Sequence, residues 1–217
     1  MGGVRTALYN YLYAKQHGGD FLKVCRGSAA ERESFTSEQI QKIKDVIGKA
    51  DYADYVYCLI YLGYRPSEFL TLDVSDYDSA KKFFVHGAKT EAGIDRAVTI
   101  SPKIQSYIDA LTVDKTDGAV FCKANGSRWT LRDFSEKVFY PVLEAAGIDN
   151  PMVEIAPGLS RHKYTPHSCR HTFATLMKNI DAPTKDKLKL IGHTSEEMLM
   201  YYQSTNVDDL RKITDII

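Results

Sequence analysis

Apolar residues recur at helical spacing in several separate stretches of the chain, and the punctuation between them marks where each element starts and stops. In "FTSEQIQKIKDVIG" (35–48), Thr36 or Ser37 is placed to cap a helix, and Ile40, Ile43, Val46 and Ile47 form one stripe. "DYADYVYCLIYLGY" (51–64) is apolar nearly all round, which predicts a more deeply buried helix ending at Gly63. "RPSEFLTL" (65–72) predicts a short helix with Pro66 in its first turn. The pattern then changes. "KKFFVH" (81–86) and "DRAVTI" (95–100) are β-prone runs around a loop with two glycines, which predicts a β-hairpin with an exposed tip. Ser101 caps a further helix through Leu111, and "GAVFCK" (118–123) reads as a short strand or extended run.

"TLRDFSEKVFYPVLEAAG" (130–147) returns to helical spacing, with a bend expected at Pro141. "NPMVEIAPGLSRHKYTP" (150–166) has no clear period and reads as a loop, and "HSCRHTFATLMKN" (167–179) as a helix entered just after Pro166. "PTKDKLKLIG" (183–192) is a short helix, "TSEEMLMYY" (194–202) opens with a Thr194–Glu197 capping box, and "VDDLRKITDII" (207–217) is a last amphipathic helix. At the other end, "VRTALYNYLYAKQHGGD" (4–20) predicts a helix stopping at Gly18–Gly19, and the chain is then polar to about Ser34. The pattern predicts a mainly α domain with a small antiparallel β-sheet (α+β) over 35–217, preceded by a helix and linker over 1–34.

Composition narrows the function classes. The 217 residues suffice for one sizeable core. There is no run of about 18 apolar residues to span a membrane and no apolar signal-peptide core. Cys25, Cys58, Cys122 and Cys169 are scattered without a CxxC pair, which fits a reducing, cytoplasmic setting. Formal net charge is zero, yet the charge is uneven: residues 160–193 hold seven Lys/Arg, four His and two acids, whereas 194–217 hold five acids and two bases. Such a basic stripe fits either a polyanion footprint or a solvated helix face.

The polar residues at bends and caps form a set. Arg65 follows the Gly63 stop with Glu68 three residues on; Lys89 lies at the hairpin tip; His167 and Arg170 share a helix face; His193 follows Gly192; Tyr202 stands nine residues later, beside Tyr201. Each has a bland alternative. Arg65–Glu68 reads equally as a surface ion pair, and Lys89 as a solvated lysine with Lys81 and Lys82 as neighbours. His193 reads as a helix C-cap, and the tyrosines as packing aromatics. "HSCRH" places His167 and His171 at i, i+4, but a zincin would carry Glu where Ser168 stands, so no metal is expected.

Four stretches in this order, "YLGYRPSEFLTL", "GAKTEAGIDRAVTI", "TPHSCRHTFATLM" and "LIGHTSEEMLMYY", resemble the tyrosine recombinases, or phage-type integrases, over about residues 35–205. The resemblance implies the catalytic-domain fold of that family. It implies that Arg65, Lys89, His167, Arg170, His193 and Tyr202 fill the catalytic positions, with Glu68 supporting Arg65. The nine-residue spacing from His193 selects Tyr202; a spacing of eight selects Tyr201. The chemistry suits these residue types. Two arginines can fork onto non-bridging phosphate oxygens, a tyrosine can leave a 3′-phosphotyrosine, and a lysine can protonate the departing 5′-oxygen.

No cofactor or metal is implied. The expected partner is double-stranded DNA at specific sites, bound by a dimer or tetramer whose C-terminal helix (about 206–217) docks on a neighbouring protomer. Arg161, His162 and Lys163 are added as candidate phosphate contacts, and residues 1–34 as the tail of an N-terminal DNA-binding domain. The resulting expectation is a site-specific recombinase for integration or excision of a mobile element, acting in the bacterial cytoplasm at the nucleoid. A type IB topoisomerase, or a DNA-binding relative without catalysis, is the alternative.

Overall fold

A computed structural model of the chain describes residues 33–87, 96–156, 158–178, 180–192, 211 and 213–217. The helix expected near the N-terminus, the Thr194–Glu197 capping box, and Lys89, His193, Tyr201 and Tyr202 all lie outside the described residues.

The described chain runs helix α1 (Ser37–Asp45), α2 (Ala53–Leu62), the one-turn α3 (Pro66–Phe69), strands β1 (Tyr77–Asp78), β2 (Phe83–Val85) and β3 (Ala97–Thr99), and α4 (Pro102–Thr112). It continues through α5 (Leu131–Phe134), a π-helical stretch (Ser135–Phe139), α6 (Tyr140–Ala145), strands β4 (Met152–Ala156) and β5 (Leu159–His162), α7 (Pro166–Lys178) and α8 (Thr184–Ile191). Thr36 caps α1: its hydroxyl accepts from Gln39 N–H at 3.2 Å, and Gln39 Oε1 accepts from Thr36 N–H at 2.9 Å.

Helix α2 is the axis of the domain. All but one of its residues are buried, as its all-round apolar pattern requires. It packs against α1, α4 and above all α7. Around it lie Tyr64, Phe69, Phe121, Phe134, Phe139 and Phe173, all fully buried. Phe69 stacks on Phe121 with ring centroids 3.8 Å apart.

The predicted hairpin is present, with Phe83 opposite Thr99, Phe84 opposite Val98 and Val85 opposite Ala97. His86 N–H extends the ladder one step, to the Arg96 carbonyl at 3.1 Å. A third strand, β1, pairs antiparallel with β2. Residues 118–123 do not form a strand. They form the extended run that was the other expectation, with single bridges of Asp73 with Ala119 and Cys122 with Arg128.

One expectation is corrected. Residues 152–162 are not a loop but a second antiparallel hairpin, turning at Gly158 with φ +73° and carrying an irregularity between Glu154 and Ala156. Met152, Ile155 and Leu159 on it are exposed. Val153, Arg161 and His162 are only half-buried, so no clear period-2 alternation marks the hairpin in the sequence. The segment around Pro141 is helical as expected: Tyr140 N–H bonds to the Ser135 carbonyl five residues back, and this widened turn precedes the position where proline contributes no donor. In addition, α7 begins at Pro166 itself, in the first-turn position where its missing N–H costs nothing.

The described part of the C-terminus packs on its own chain. Arg211 Nη2 donates to the Lys82 carbonyl at 2.7 Å, the Thr214 and Thr99 hydroxyls are 2.6 Å apart, and Ile213 and Ile217 are buried. This is the self-packed arrangement that the apolar spacing of the last helix equally permits.

Candidate active site

Three features bring the site together. The first is the stop of α2. Gly63 has φ +62°, and a Cβ there would fall 2.2 Å from the Phe173 ring, so glycine is required both by the backbone and by the close approach of α7. That approach presents the Gly63 carbonyl to Arg170, whose Nη1 donates to it at 2.8 Å. The second is the start of α3. Glu68 sits three residues after Arg65, accepts the Arg65 backbone N–H at 3.0 Å on Oε2, and accepts the Arg65 guanidinium at 2.7 Å on Oε1. The third is the stop of α8, where Gly192 (φ +68°) ends the helix and its carbonyl accepts from Arg65 Nη2 at 3.3 Å.

The Arg65–Glu68 pair is therefore not a surface pair. The Glu68 side chain is 1% exposed, and that of Arg65 34%. A second guanidinium reaches the same carboxylate: Arg96 Nη2 lies 3.2 Å from Glu68 Oε2, with a side chain only 3% exposed. Arg96 also donates to the Ile191 carbonyl at 2.6 Å and lies over the Tyr64 ring, 4.6 Å from its centroid. Arg96 was missed at the level of sequence, where it reads as one polar residue in a β-prone run.

Three guanidinium groups thus share a buried neighbourhood with one carboxylate. Burial alone would raise the pKa of Glu68, but the Arg96 charge and the Arg65 hydrogen bonds outweigh it and hold the group below its ordinary value. Arg170 carries the uncompensated charge. Its pKa is brought down to about 9, first by burial and then by the charges of Arg96 and Arg65, with Glu68 opposing. The residue is 7% exposed, and its Nη2 has no hydrogen-bond partner among the described residues. A buried, unsatisfied, charged donor is costly, and an anion in this pocket would relieve that cost.

The other candidates divide. His167 is half-buried one turn before Arg170 on α7. His171 is exposed, and Cys169 is fully buried, with its thiol pushed up by burial. Arg161, His162 and Lys163 lie on β5 and just beyond it. His162 Nδ1 is 3.2 Å from the Asn150 carbonyl and its ring packs on Tyr140, while Lys163 pairs with Glu33 at 3.0 Å. Lys82, a possible stand-in for Lys89, is occupied by Asp109 at 3.0 Å. The structure brings together Arg65, Glu68, Arg170 and the residue preceding His193.

Comparison with known proteins follows the same outline. The phage integrase family model matches residues 33–208. The tyrosine recombinase XerA of Pyrococcus furiosus is 26% identical over 186 residues, covering 84% of this chain and 61% of that protein, so the chain spans under two thirds of that relative's length. The fold resembles that of the Tn1549 transposon integrase in complex with transposon right end DNA, with a TM-score of 0.63 and 18% identity over 93% of this chain and 73% of that one. A short stretch of 22 residues is 82% identical to the glutamate–tRNA ligase of Christiangramia forsetii, covering 10% of this chain and 4% of that protein, too little to show a second family. With the arginine pocket at the junction of three helix ends and the family model spanning nearly all of the described fold, the chain belongs to the phage integrase family, the tyrosine recombinases.

Proposed function

We propose that this chain is the catalytic part of a site-specific recombinase that cuts and rejoins duplex DNA through a covalent 3′-phosphotyrosine on Tyr202. The observation that carries the reading is the buried Nη2 of Arg170, without a partner among the described residues, beside Arg65 in a pocket where the described side chains bring more positive than negative charge.

A phosphodiester under attack gathers negative charge on its two non-bridging oxygens. Arg170 Nη2 and the outward part of Arg65, which is a third exposed, are the donors for them. Both are held from behind, by the Gly63 carbonyl and by Glu68, so little reorganisation is needed when the charge develops. His167, on the same helix face as Arg170, is the acceptor for the tyrosine proton, and His193 donates to a phosphate oxygen. Lys89, between β2 and β3 in the sequence, protonates the departing 5′-oxygen. The phosphotyrosine keeps the energy of the bond broken, so a 5′-hydroxyl from a second strand reverses the step without ATP. Guanidinium groups supply the charge stabilisation that a metal supplies in other phosphoryl-transfer enzymes.

The Tn1549 integrase, solved with transposon end DNA, supports duplex DNA as partner and a mobile element as biological setting. Assembly into a dimer or tetramer on DNA, with the C-terminal helix exchanged between protomers, belongs to the same proposal. That exchange would have to break the Arg211–Lys82 and Thr214–Thr99 contacts made in cis. Arg161, His162 and Lys163 are proposed as outlying phosphate contacts. The assignment of residues 1–34 to the end of a DNA-gripping domain rests on the resemblance alone.

The test is a denaturation-stable protein–DNA adduct on nicked duplexes drawn from the DNA flanking the coding sequence. Wild-type chain is expected to trap DNA, and Tyr202→Phe, Arg170→Ala and Arg65→Ala to trap none. Specific DNA binding by wild type without any adduct would overturn the catalytic reading in favour of a binding protein. Relaxation of plasmid without strand exchange would point to a topoisomerase.

A further inference from the structure

We propose that Arg96 is a positioning residue for the reaction: one buried guanidinium that fixes three candidate catalytic elements relative to one another. The inference deepens the functional reading above and rests on it for the word reaction, but its structural content can be tested without DNA.

The argument begins with where Arg96 sits. Its carbonyl accepts from His86 N–H, so it closes the described end of the β2–β3 ladder, from which the chain runs out to Lys89. Its side chain leaves the hairpin and reaches the other two elements. Nη2 meets Glu68 Oε2 at 3.2 Å, and Nη1 meets the Ile191 carbonyl at 2.6 Å, at the end of α8 and two residues before His193. Glu68 Oε2 also accepts the Arg65 backbone N–H, which leaves Oε1 for the Arg65 guanidinium. One carboxylate is thus clamped from two sides, and the face of Arg65 turned towards it cannot rotate without losing a charge-assisted bond.

Gly192 supplies an independent observation. A Cβ built there would lie 1.9 Å from Arg96 Nη1. The stop of α8 therefore needs glycine for its positive φ and also for room to seat this guanidinium. The Tyr64 ring closes another side. A lysine in the same place has the charge but not the planar fork that meets a carboxylate and a carbonyl in different directions. With a side chain 3% exposed, Arg96 is too enclosed to be assigned to substrate itself. It acts through Glu68 and through the corner at Gly192.

The experiment uses the full chain labelled with 15N-arginine, pyrophosphate as the anion probe, and the variants Arg96→Met, Arg96→Lys, Glu68→Gln and the double variant Glu68→Gln/Arg96→Met. Ile108→Ala, a destabilising change in the buried face of α4, serves as the control for stability alone. In Arg96→Met the Arg65 Nε–Hε resonance is expected to shift or broaden, and pyrophosphate affinity to fall about tenfold or more. Arg96→Lys, which keeps the charge and most of the packing, is expected to fold and to show the same change to a smaller degree. The double variant is expected to lose no more than the worse single one, because both act on one carboxylate. Ile108→Ala is expected to keep both the resonance and the affinity.

An unmoved Arg65 resonance with affinity within twofold in a folded Arg96→Lys or Arg96→Met protein would overturn the proposal, as would losses that multiply in the double variant. Equal loss in Ile108→Ala would reduce Arg96 to a stability residue. A wild-type chain that shows the Arg96 effects but forms no DNA adduct would overturn the functional reading and leave this one standing.

Discussion

Replacing Glu68 by alanine separates the buried reading of the Arg65–Glu68 pair from the surface reading most directly. A surface pair of this kind contributes about 0–1 kcal/mol. Here the carboxylate is 1% exposed and the Arg96 side chain 3%, so removing Glu68 takes a buried counter-charge away from a guanidinium inside the domain that keeps its carbonyl and ring contacts. Breaking a buried pair by removing one partner costs about 3–5 kcal/mol. Arg65, a third exposed, recovers most of its loss from water and adds little. In a domain of this size about 3–5 kcal/mol corresponds to roughly 6–20 °C in Tm. In urea it corresponds to about 1–5 M in the midpoint, given an m-value in the usual range of about 1–3 kcal/mol/M. Equilibrium urea unfolding followed by circular dichroism measures it. The m-value should stay the same, since the surface exposed on unfolding does not change. A loss below about 1 kcal/mol would refute the buried-network reasoning, because it would mean that Arg96 finds water or another acceptor without cost.

Other expectations follow from the same geometry. Gly63→Ala faces about 1–2 kcal/mol for the left-handed backbone and a further 1–3 kcal/mol or so from forcing Phe173 aside, so a Tm fall on the order of 10 °C is expected by calorimetry. The ordinary pKa of Glu68 is 4.5 and the folded value is lower, so its stabilisation is complete above about pH 4.5 and is lost as pH falls through the folded value; Glu68→Gln should flatten that acid limb in pH-dependent melting. Arg170, brought down to about 9, must be charged to hold an anion, so pyrophosphate affinity measured by calorimetric titration should decline as pH rises through about 9, and Arg170→Ala should abolish both the binding and its pH dependence. Deleting residues 206–217 removes the cover over Thr99, and stability should fall by about 1–3 kcal/mol in chemical denaturation even before any effect on assembly.

How much of this was legible in the sequence depends on whether a feature leaves a local signature. The caps at Thr36 and Ser101, the Gly63 stop, the Pro66 start and the β2–β3 hairpin were all legible, because capping, left-handed glycine and β-branched alternation act over a few residues. The Arg65–Glu68 spacing was legible, but its burial was not: that depends on α8 and β3 closing over it from more than 25 residues away. Arg96 left no signature because its partners, Glu68 and Ile191, are distant in the chain. The one available hint was an arginine opening a strand that is otherwise Ala97, Val98 and Thr99. The β4–β5 hairpin was read as loop because Met152, Ile155 and Leu159 are left exposed and its other side is only half-buried, so no apolar alternation is required. At Pro141 the proline was legible as a missing donor, but the π turn just upstream of it was not, because it depends on how the flanking turns pack. The arginine pocket itself is a tertiary object: no stretch of sequence shows that the Gly63 carbonyl turns towards Arg170 and that its other terminal nitrogen has no partner among the described residues.

The measurement that reaches the centre of the account is mass spectrometry of the covalent adduct. Chain trapped on nicked duplex is digested with nuclease and trypsin, and the peptide that retains a nucleotide remnant is sequenced. The account predicts a phosphodiester-linked nucleotide on Tyr202, nine residues after His193, and none on Tyr201. A remnant on Tyr201, or on any residue other than a tyrosine of this segment, would contradict it.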